Sequence, residues 1–204
     1  QTFNIEATSK GPYDPQLKFT QSASAGGSNV SYYAGPESLD SGYGGGVISF
    51  VDNSSAGSAS FIVRTGAKKP PEGHTVGGEI SFSDSATADT ATFTTYGTLG
   101  SDGYTFGNVV FHKSSTAAYG TFTAIGGTVS GGDGGNTQFY DTSNAANGTF
   151  INKGGTHSKA NGGDTAFDGN AVGGFGCFYN HAAEAEYAYG GVTSFNNNPP
   201  EMTG

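Results

Sequence analysis

A chain of 204 residues can bury a sizeable core, yet only 34% of this one is apolar, with no Trp, one Met and 36 Gly, which excludes a single large compact interior. With 8 Lys and Arg against 17 Asp and Glu, the formal net charge is −9, so no basic stripe follows a phosphate backbone and nucleic acid is excluded as a partner. No apolar run approaches the roughly 18 residues that insert into a membrane, and the single cysteine, Cys177, rules out an intramolecular disulfide framework.

The 15 Phe and 11 Tyr are not scattered. The chain opens with QTF (Gln1 to Phe3) and continues with LKF (Leu17 to Phe19), NVS near Val30, ISF (Ile48 to Phe50), ASF (Ala59 to Phe61), ISF (Ile80 to Phe82) and ATF (Ala91 to Phe93). VVF (Val109 to Phe111), GTF (Gly120 to Phe122), TQF (Thr137 to Phe139), GTF (Gly148 to Phe150), TAF (Thr165 to Phe167), GCF (Gly176 to Phe178) and TSF (Thr193 to Phe195) follow. Two kinds of short segment therefore alternate, and the step from the first kind to the second is constant. The intervals 19 to 30, 50 to 61, 82 to 93, 111 to 122, 139 to 150 and 167 to 178 all equal 11. Successive first-kind Phe residues lie 31, 32, 29, 28, 28 and 28 apart, and insertions such as Ala67 to His74 read as loops placed once per repeat.

Side chains two apart share one face of a strand, so Ile48 with Phe50, Ile80 with Phe82 and Val109 with Phe111 face inward. Six residues after each first-kind Phe comes a small residue (Ala25, Ala56, Ala88, Ala117, Ala145, Gly173), read as a narrow inward corner. Gly pairs precede most first-kind strands (Gly45 and Gly46, Gly77 and Gly78, Gly134 and Gly135, Gly162 and Gly163, Gly190 and Gly191), where positive-φ turns are expected. No stretch keeps a 3.6-residue period, so helices are expected to be scarce.

One such unit cannot bury its own rings, but stacked units can. The expected fold is all-β, a single domain over 1–204: a right-handed parallel β-helix (β-solenoid) of about six to seven coils, each of 28–32 residues. Its core ladders are Phe19, Phe50, Phe82, Phe111, Phe139, Phe167 and Phe195 on one side and Phe61, Phe93, Phe122, Phe150 and Phe178 on the other, spaced at about 4.8 Å. An antiparallel sandwich or barrel is the rival, and it gives no reason for a constant offset.

The units Gly135 to Thr156 (GNTQFYDTSNAANGTFINKGGT) and Gly77 to Thr98 (GGEISFSDSATADTATFTTYGT) resemble the D-x-S-T-A-x-x-A-T-F-x-N-x-G-G repeats of bacterial secreted and autotransporter-passenger-like β-helix proteins. The likeness covers nearly all the chain and decays between Gly163 and Tyr189. It implies the fold and an extracellular, cell-surface location, and it carries over no catalytic residue set.

Two residues after each first-kind Phe stand Gln21, Asp52, Asp84, Lys113, Asp141, Gly169 and Asn197. Asp84, Lys113 and Asp141 read as an ion-pair ladder, while stacked Asp52 and Asp84 must repel or share a cation such as Ca²⁺. The segment GGDGG (Gly131 to Gly135) lacks the full calcium β-roll signature, and no metal or other cofactor is expected. Paired acids on a solenoid face also suit polysaccharide cleavage, yet the one Arg, Arg64, leaves little to hold uronates. His74, His112, His157 and His181 fall at different offsets and read as surface residues, and Cys177, just before inward Phe178, points outward. Tyr33, Arg64, Tyr96, Ile125, Lys153 and His181 share one row, a mixture able to grip sugar rings. The outward row Ser49, Ser81, Val110, Gln138, Ala166 and Ser194 is too mixed to be an ice-binding Thr array.

Gln1, Thr2 and Phe3 match a second-kind strand with no first-kind strand before it, while Thr193 and Phe195 form a first-kind strand whose partner would fall past Gly204. Half a coil at each end suits head-to-tail assembly with further copies of the chain, and equally a segment of a longer passenger. Gln rather than Met at position 1 fits a processed product. The functional expectation is a non-catalytic extracellular structural or adhesive element, with other copies of itself and cell-surface glycans as partners. The alternative is a carbohydrate-binding or polysaccharide-cleaving β-helix.

Overall fold

A computed structural model describes residues 1–6, 14–36, 45–66, 77–97 and 106–196. Among them there is no helix, and fourteen short strands fall into two parallel sheets. The first holds β1 (Thr2–Ile5), β3 (Ser31–Ala34), β5 (Ser60–Val63), β7 (Thr92–Thr95), β9 (Thr121–Ala124), β11 (Thr149–Asn152) and β13 (Cys177–Asn180), in that order. The second holds β2 (Gln16–Phe19), β4 (Val47–Phe50), β6 (Glu79–Phe82), β8 (Asn108–Phe111), β10 (Asn136–Phe139), β12 (Asp164–Asp168) and β14 (Val192–Asn196). Since consecutive strands alternate between sheets and each pairs only with the strand one coil away, the architecture is the β-solenoid that the repeat predicts, with about six turns. A one-residue-wide third side runs Ser24, Ser55, Thr87, Thr116, Asn144 and Val172, bridged in parallel.

The interior is two aromatic stacks. Phe3, Tyr32, Phe61, Phe93, Phe122, Phe150 and Phe178 form one, and Phe19, Phe50, Phe82, Phe111, Phe139, Phe167 and Phe195 the other. Ring centroids are 4.6–5.0 Å apart within each stack, with interplanar angles of 3–13°. Strand spacing imposes this parallel stacking, and the preferred edge-to-face contact is recovered across the coil, where the two stacks meet at 5.6–6.1 Å and 75–84°. Every interior Phe from Phe50 to Phe167 is at most 1% exposed, each adding about 1.5–3 kcal/mol of burial. The alanine corner is as expected: Ala25, Ala56, Ala88, Ala117 and Ala145 are all buried.

Two expectations need correction. The first coil does not keep the 11-residue step: Tyr32, not Val30, fills the ring position, pairing with Phe3 and Phe61. Gly26 and Gly27 lengthen this arc by two residues, and a turn closed by Val30 N–H on Gly27 O (3.0 Å) takes them up. The extra reach leaves room for a phenol, whose hydroxyl donates to Ala25 O at 2.8 Å. Burial pushes the Tyr32 phenol pKa up.

The Gly pairs do not supply positive φ either. Left-handed backbone occurs instead at turns on both sides of the third face (Gln21, Asp52, Asp84, Lys113, Asp141 and Gly169 before it, Gly26, Gly57, Asp89, Ala118, Ala146 and Gly174 after it) and on the later loops at Gly131, Lys159 and Tyr187. Side chains of Ser55, Thr87, Thr116 and Asn144 accept the N–H of the positive-φ residue two positions on, at 2.6–3.0 Å, which compensates the strain of Asp89, Ala118 and Ala146. The Gly pairs mark close approach. A Cβ on Gly135, Gly163 or Gly191 would stand 2.1–2.4 Å from the carbonyl oxygen of Thr95, Ala124 or Asn152. Here each loop returns to the body and is tied at its neck: Gly135 N–H to Ile125 O (2.8 Å), Gly163 to Lys153 (2.7 Å), Gly191 to His181 (2.9 Å).

Candidate binding cleft

The expected ion-pair ladder forms only in part. Lys113 Nζ lies 2.8 Å from Asp84 Oδ1, and the hydrogen bond from Lys113 holds the Asp84 carboxyl below its usual range. Asp52 and Asp84 are each bonded to backbone. Each Asp carboxylate turns back to accept the amide of the turn residue one coil earlier: Asp52 from Gln21 (2.9 Å), Asp84 from Asp52 (3.3 Å) and Asp141 from Lys113 (2.8 Å). Asn197 and His74 lie outside the described residues. His112 stacks on Tyr140 at 5.2 Å and stands 3.7 Å from Asp141. Cys177 is exposed, as the alternation predicts. Among the described residues, no group of three or more His, Cys, Asp and Glu is arranged to hold a metal.

The mixed aromatic row loses a member, because the longer first arc moves Tyr33 into register with Ile62 rather than Arg64. Arg64 still lies over the Tyr96 ring at 4.6 Å, and Tyr33, Arg64 and Tyr96 line one shallow groove. At the ends, Phe3 stacks on Tyr32 and Phe195 on Phe167, leaving Phe3 36% and Phe195 53% exposed.

A better-formed site was not singled out by the sequence. In the last three coils the loops 125–135, 153–163 and 181–191 are equally long, and their backbones bond to one another. Examples are Gly127 N–H to Asn161 O (2.7 Å), Asn161 to Gly132 (2.8 Å), Gly155 to Tyr189 (2.9 Å) and Tyr189 to Ala160 (2.9 Å). Three parallel rows result. Asp133, Asn161 and Tyr189 lie on the loops, Gly134, Gly162 and Gly190 follow them, and Asn136, Asp164 and Val192 open the strands β10, β12 and β14. Together they line a cleft of about 440 Å³. Its trough is glycine by necessity, since a Cβ on Gly134 or Gly162 would meet the next coil's glycine carbonyl at 2.0–2.2 Å. One coil earlier the trough position is Phe106, which adds a ring to the lining.

The strand row is chemically unusual. Glu79, Asn108, Asn136 and Asp164 stack in register between Val47 and Val192. Oδ1 atoms of Asn108, Asn136 and Asp164 are buried with no hydrogen-bond partner, and Asn136 is only 8% exposed. Desolvation raises the Asp164 pKa to about 6 and pushes Glu79 up as well. On the loop row Asn161 donates its amide to Asp133 Oδ1, fixing both. The cleft thus offers acceptor oxygens at the coil spacing and aromatic rings at Phe106 and Tyr189, with no Lys or Arg in its lining. Unpaired buried acceptors cost roughly 1–3 kcal/mol each, so a molecule that brings donors to them is favoured.

Comparison with family models, curated proteins and solved structures finds no match in any of the three.

Proposed function

We propose that the chain is a non-catalytic structural and adhesive element displayed outside the cell. One observation carries the structural half: the polar surface residues are engaged in holding neighbouring coils together. Ser81 donates to Ser49 (3.1 Å), Thr92 to Ser60 (3.1 Å) and Asn196 to Asp168 (3.2 Å), alongside the Asp-to-amide bonds of the turn row. Such a surface strengthens a rod. The likeness to secreted β-helix repeats supports the extracellular location, as does the Gly-, Ser- and Thr-rich texture. Further copies of the chain are the proposed partner, docking on the uncovered rings of Phe3 and Phe195; in a longer passenger, additional coils would cover the same rings. The adhesive half is favoured by the cleft, which suits cell-surface glycans.

Negative-stain microscopy and a reducing-end assay on the purified chain test this reading. Straight rods, single or joined end to end, with no release of sugar ends from polysaccharides, support it. Release abolished by Asp133→Asn or Asp164→Asn would instead make the protein a hydrolase, and collapsed particles without rod shape would remove the structural role.

A further inference from the structure

The adhesive reading leaves its ligand class open, and the three rows of the cleft narrow it. The rows run parallel to the solenoid axis, so the cleft is an axial trough, polar at Asp133 with Asn136 and at Asn161 with Asp164, and aromatic and apolar at Tyr189 with Val192. Asn136 Oδ1 and Asp164 Oδ1 are adjacent rungs of one parallel ladder and both lack a donor. Asn136 is more than nine-tenths buried and lines the cleft, an unpartnered polar side chain in the trough wall. Across the glycine floor, Asp133 and Asn161 present a second line of polar groups, locked by their mutual hydrogen bond. Tyr189 is 59% exposed at the open end, a free ring face beside a polar channel.

Three classes of ligand fail against this lining. An anionic chain finds no cation in the cleft and meets Asp133 and Asp164 within a chain of net charge −9. A hard divalent cation wants several carboxylate oxygens converging on one point, whereas one Asp133 oxygen is taken by Asn161 and no three acidic or His side chains converge among the described residues. A purely apolar ligand would leave the acceptor oxygens unpaired. A linear neutral carbohydrate satisfies all the features together. Its hydroxyls donate to the acceptor row, its ring faces pack on Tyr189 and Phe106, and its own repeat runs parallel to that of the coils. We propose that the trough between loop residues Asp133, Asn161 and Tyr189 and strand residues Asn136 and Asp164 binds a single strand of neutral polysaccharide along the solenoid axis.

This rests on the adhesive part of the functional reading and is separable from it, because rods without glycan binding overturn only the present inference. The test titrates the ¹⁵N-labelled chain with cello-, xylo-, manno- and chito-oligosaccharides of two to six units, with oligogalacturonate as the charged comparison. At least one neutral series is expected to shift the amides of Gly134, Gly162 and Gly190, with affinity rising with chain length and no response to oligogalacturonate. Tyr189→Ala is expected to weaken binding tenfold or more, while Tyr119→Ala, exposed elsewhere on the rod, leaves it unchanged. Asn136→Leu, checked for folding by its amide spectrum, is expected to abolish it. Absence of binding by all four series overturns the proposal, as do shifts confined to the Arg64–Tyr96 groove or affinity unaltered in Tyr189→Ala.

Discussion

Asn152 donates its amide to Asn180 Oδ1, one coil further on, at 2.8 Å, and accepts from the Thr165 hydroxyl at 2.9 Å. The corresponding interior positions three, two and one coils earlier are Val63, Thr95 and Ala124, facing Ile80, Val109 and Thr137. Between Val63 with Ile80 and Asn152 with Thr165 the core therefore changes from hydrocarbon to a hydrogen-bonded network, with buried Thr95 and Thr137 in between, while the aromatic stacks beside it continue. Asn152 also donates to Val192 O at 2.6 Å and Thr193 Oγ1 at 3.2 Å, so one buried side chain ties together three coils' worth of backbone.

Removing that side chain should be costly. Asn152→Ala strands the Thr165 hydroxyl and the Val192 carbonyl, and a loss of about 3 kcal/mol is expected, read as a lower urea midpoint at unchanged slope. Replacing Asn152, Asn180 and Thr165 together by Val removes the stranded Thr165 hydroxyl and leaves the Val192 carbonyl and the partly exposed Thr193 hydroxyl without their partners, so it should cost less than the single change, about 1–2 kcal/mol. Equal losses for the single and triple variants would show that the network is not what stabilises these coils.

The aromatic stacks make a position-dependent prediction. Phe111 is fully buried between Phe82 and Phe139, so Phe111→Ala should cost about 3–5 kcal/mol. Phe3, stacked on Tyr32 and 36% exposed, should cost only about 1–2 kcal/mol as Ala. Denaturant unfolding followed by circular dichroism separates the two.

Close approach and backbone handedness can be told apart with two glycines. A Cβ on Gly163 would stand 2.2 Å from Ala124 O, so coils must part; Gly169, at φ +68, has nothing within 4 Å of its added Cβ. Gly163→Ala should therefore lose more than about 3 kcal/mol, whereas Gly169→Ala should lose about 1 kcal/mol, the price of left-handed backbone alone. The reverse order in thermal melts would contradict the packing at the loop necks.

Asp164 gives a pH signature. Its folded value of about 6 lies above the ordinary 3.8, so the folded state holds the proton more tightly. The resulting stability is complete below about pH 3.8 and is lost as pH rises through 6. Asp164→Asn, uncharged throughout, should exceed the parent by about 1–2 kcal/mol at pH 7.5, a figure reduced for partial solvation, and match it at pH 3.5. A stability difference independent of pH would mean that the carboxyl is not desolvated.

The recurring Phe residues made the coils readable because aromatic identity and strand spacing are coupled: a ring at each inward position is what a stack requires. The same reliance on Phe misplaced the first coil, where Tyr32 carries the stack and Val30, at the familiar interval, only packs beside it. The Gly pairs were misread for a different reason: a missing Cβ serves either a left-handed turn or a close carbonyl, and Asp52 or Lys113 can occupy the turn. The cleft was partly legible. Asn108, Asn136 and Asp164 all lie three positions before an inward Phe, so aligning that column shows an amide–amide–acid stack. Its burial was not legible, because it depends on how the loops fold back over the strand ends.

Among the described residues a backbone bond closes the loop necks whatever the size of the segment enclosed: Gly46 to Gly35 (2.8 Å), Gly78 to Arg64 (2.9 Å), Gly107 to Tyr96 (2.9 Å) and Gly163 to Lys153 (2.7 Å). Lengthening such a segment adds closure entropy only logarithmically, and the rings below never sense the change. This edge of the molecule is thus a natural grafting site, where evolution or an engineer can exchange recognition surfaces coil by coil on an unaltered chassis.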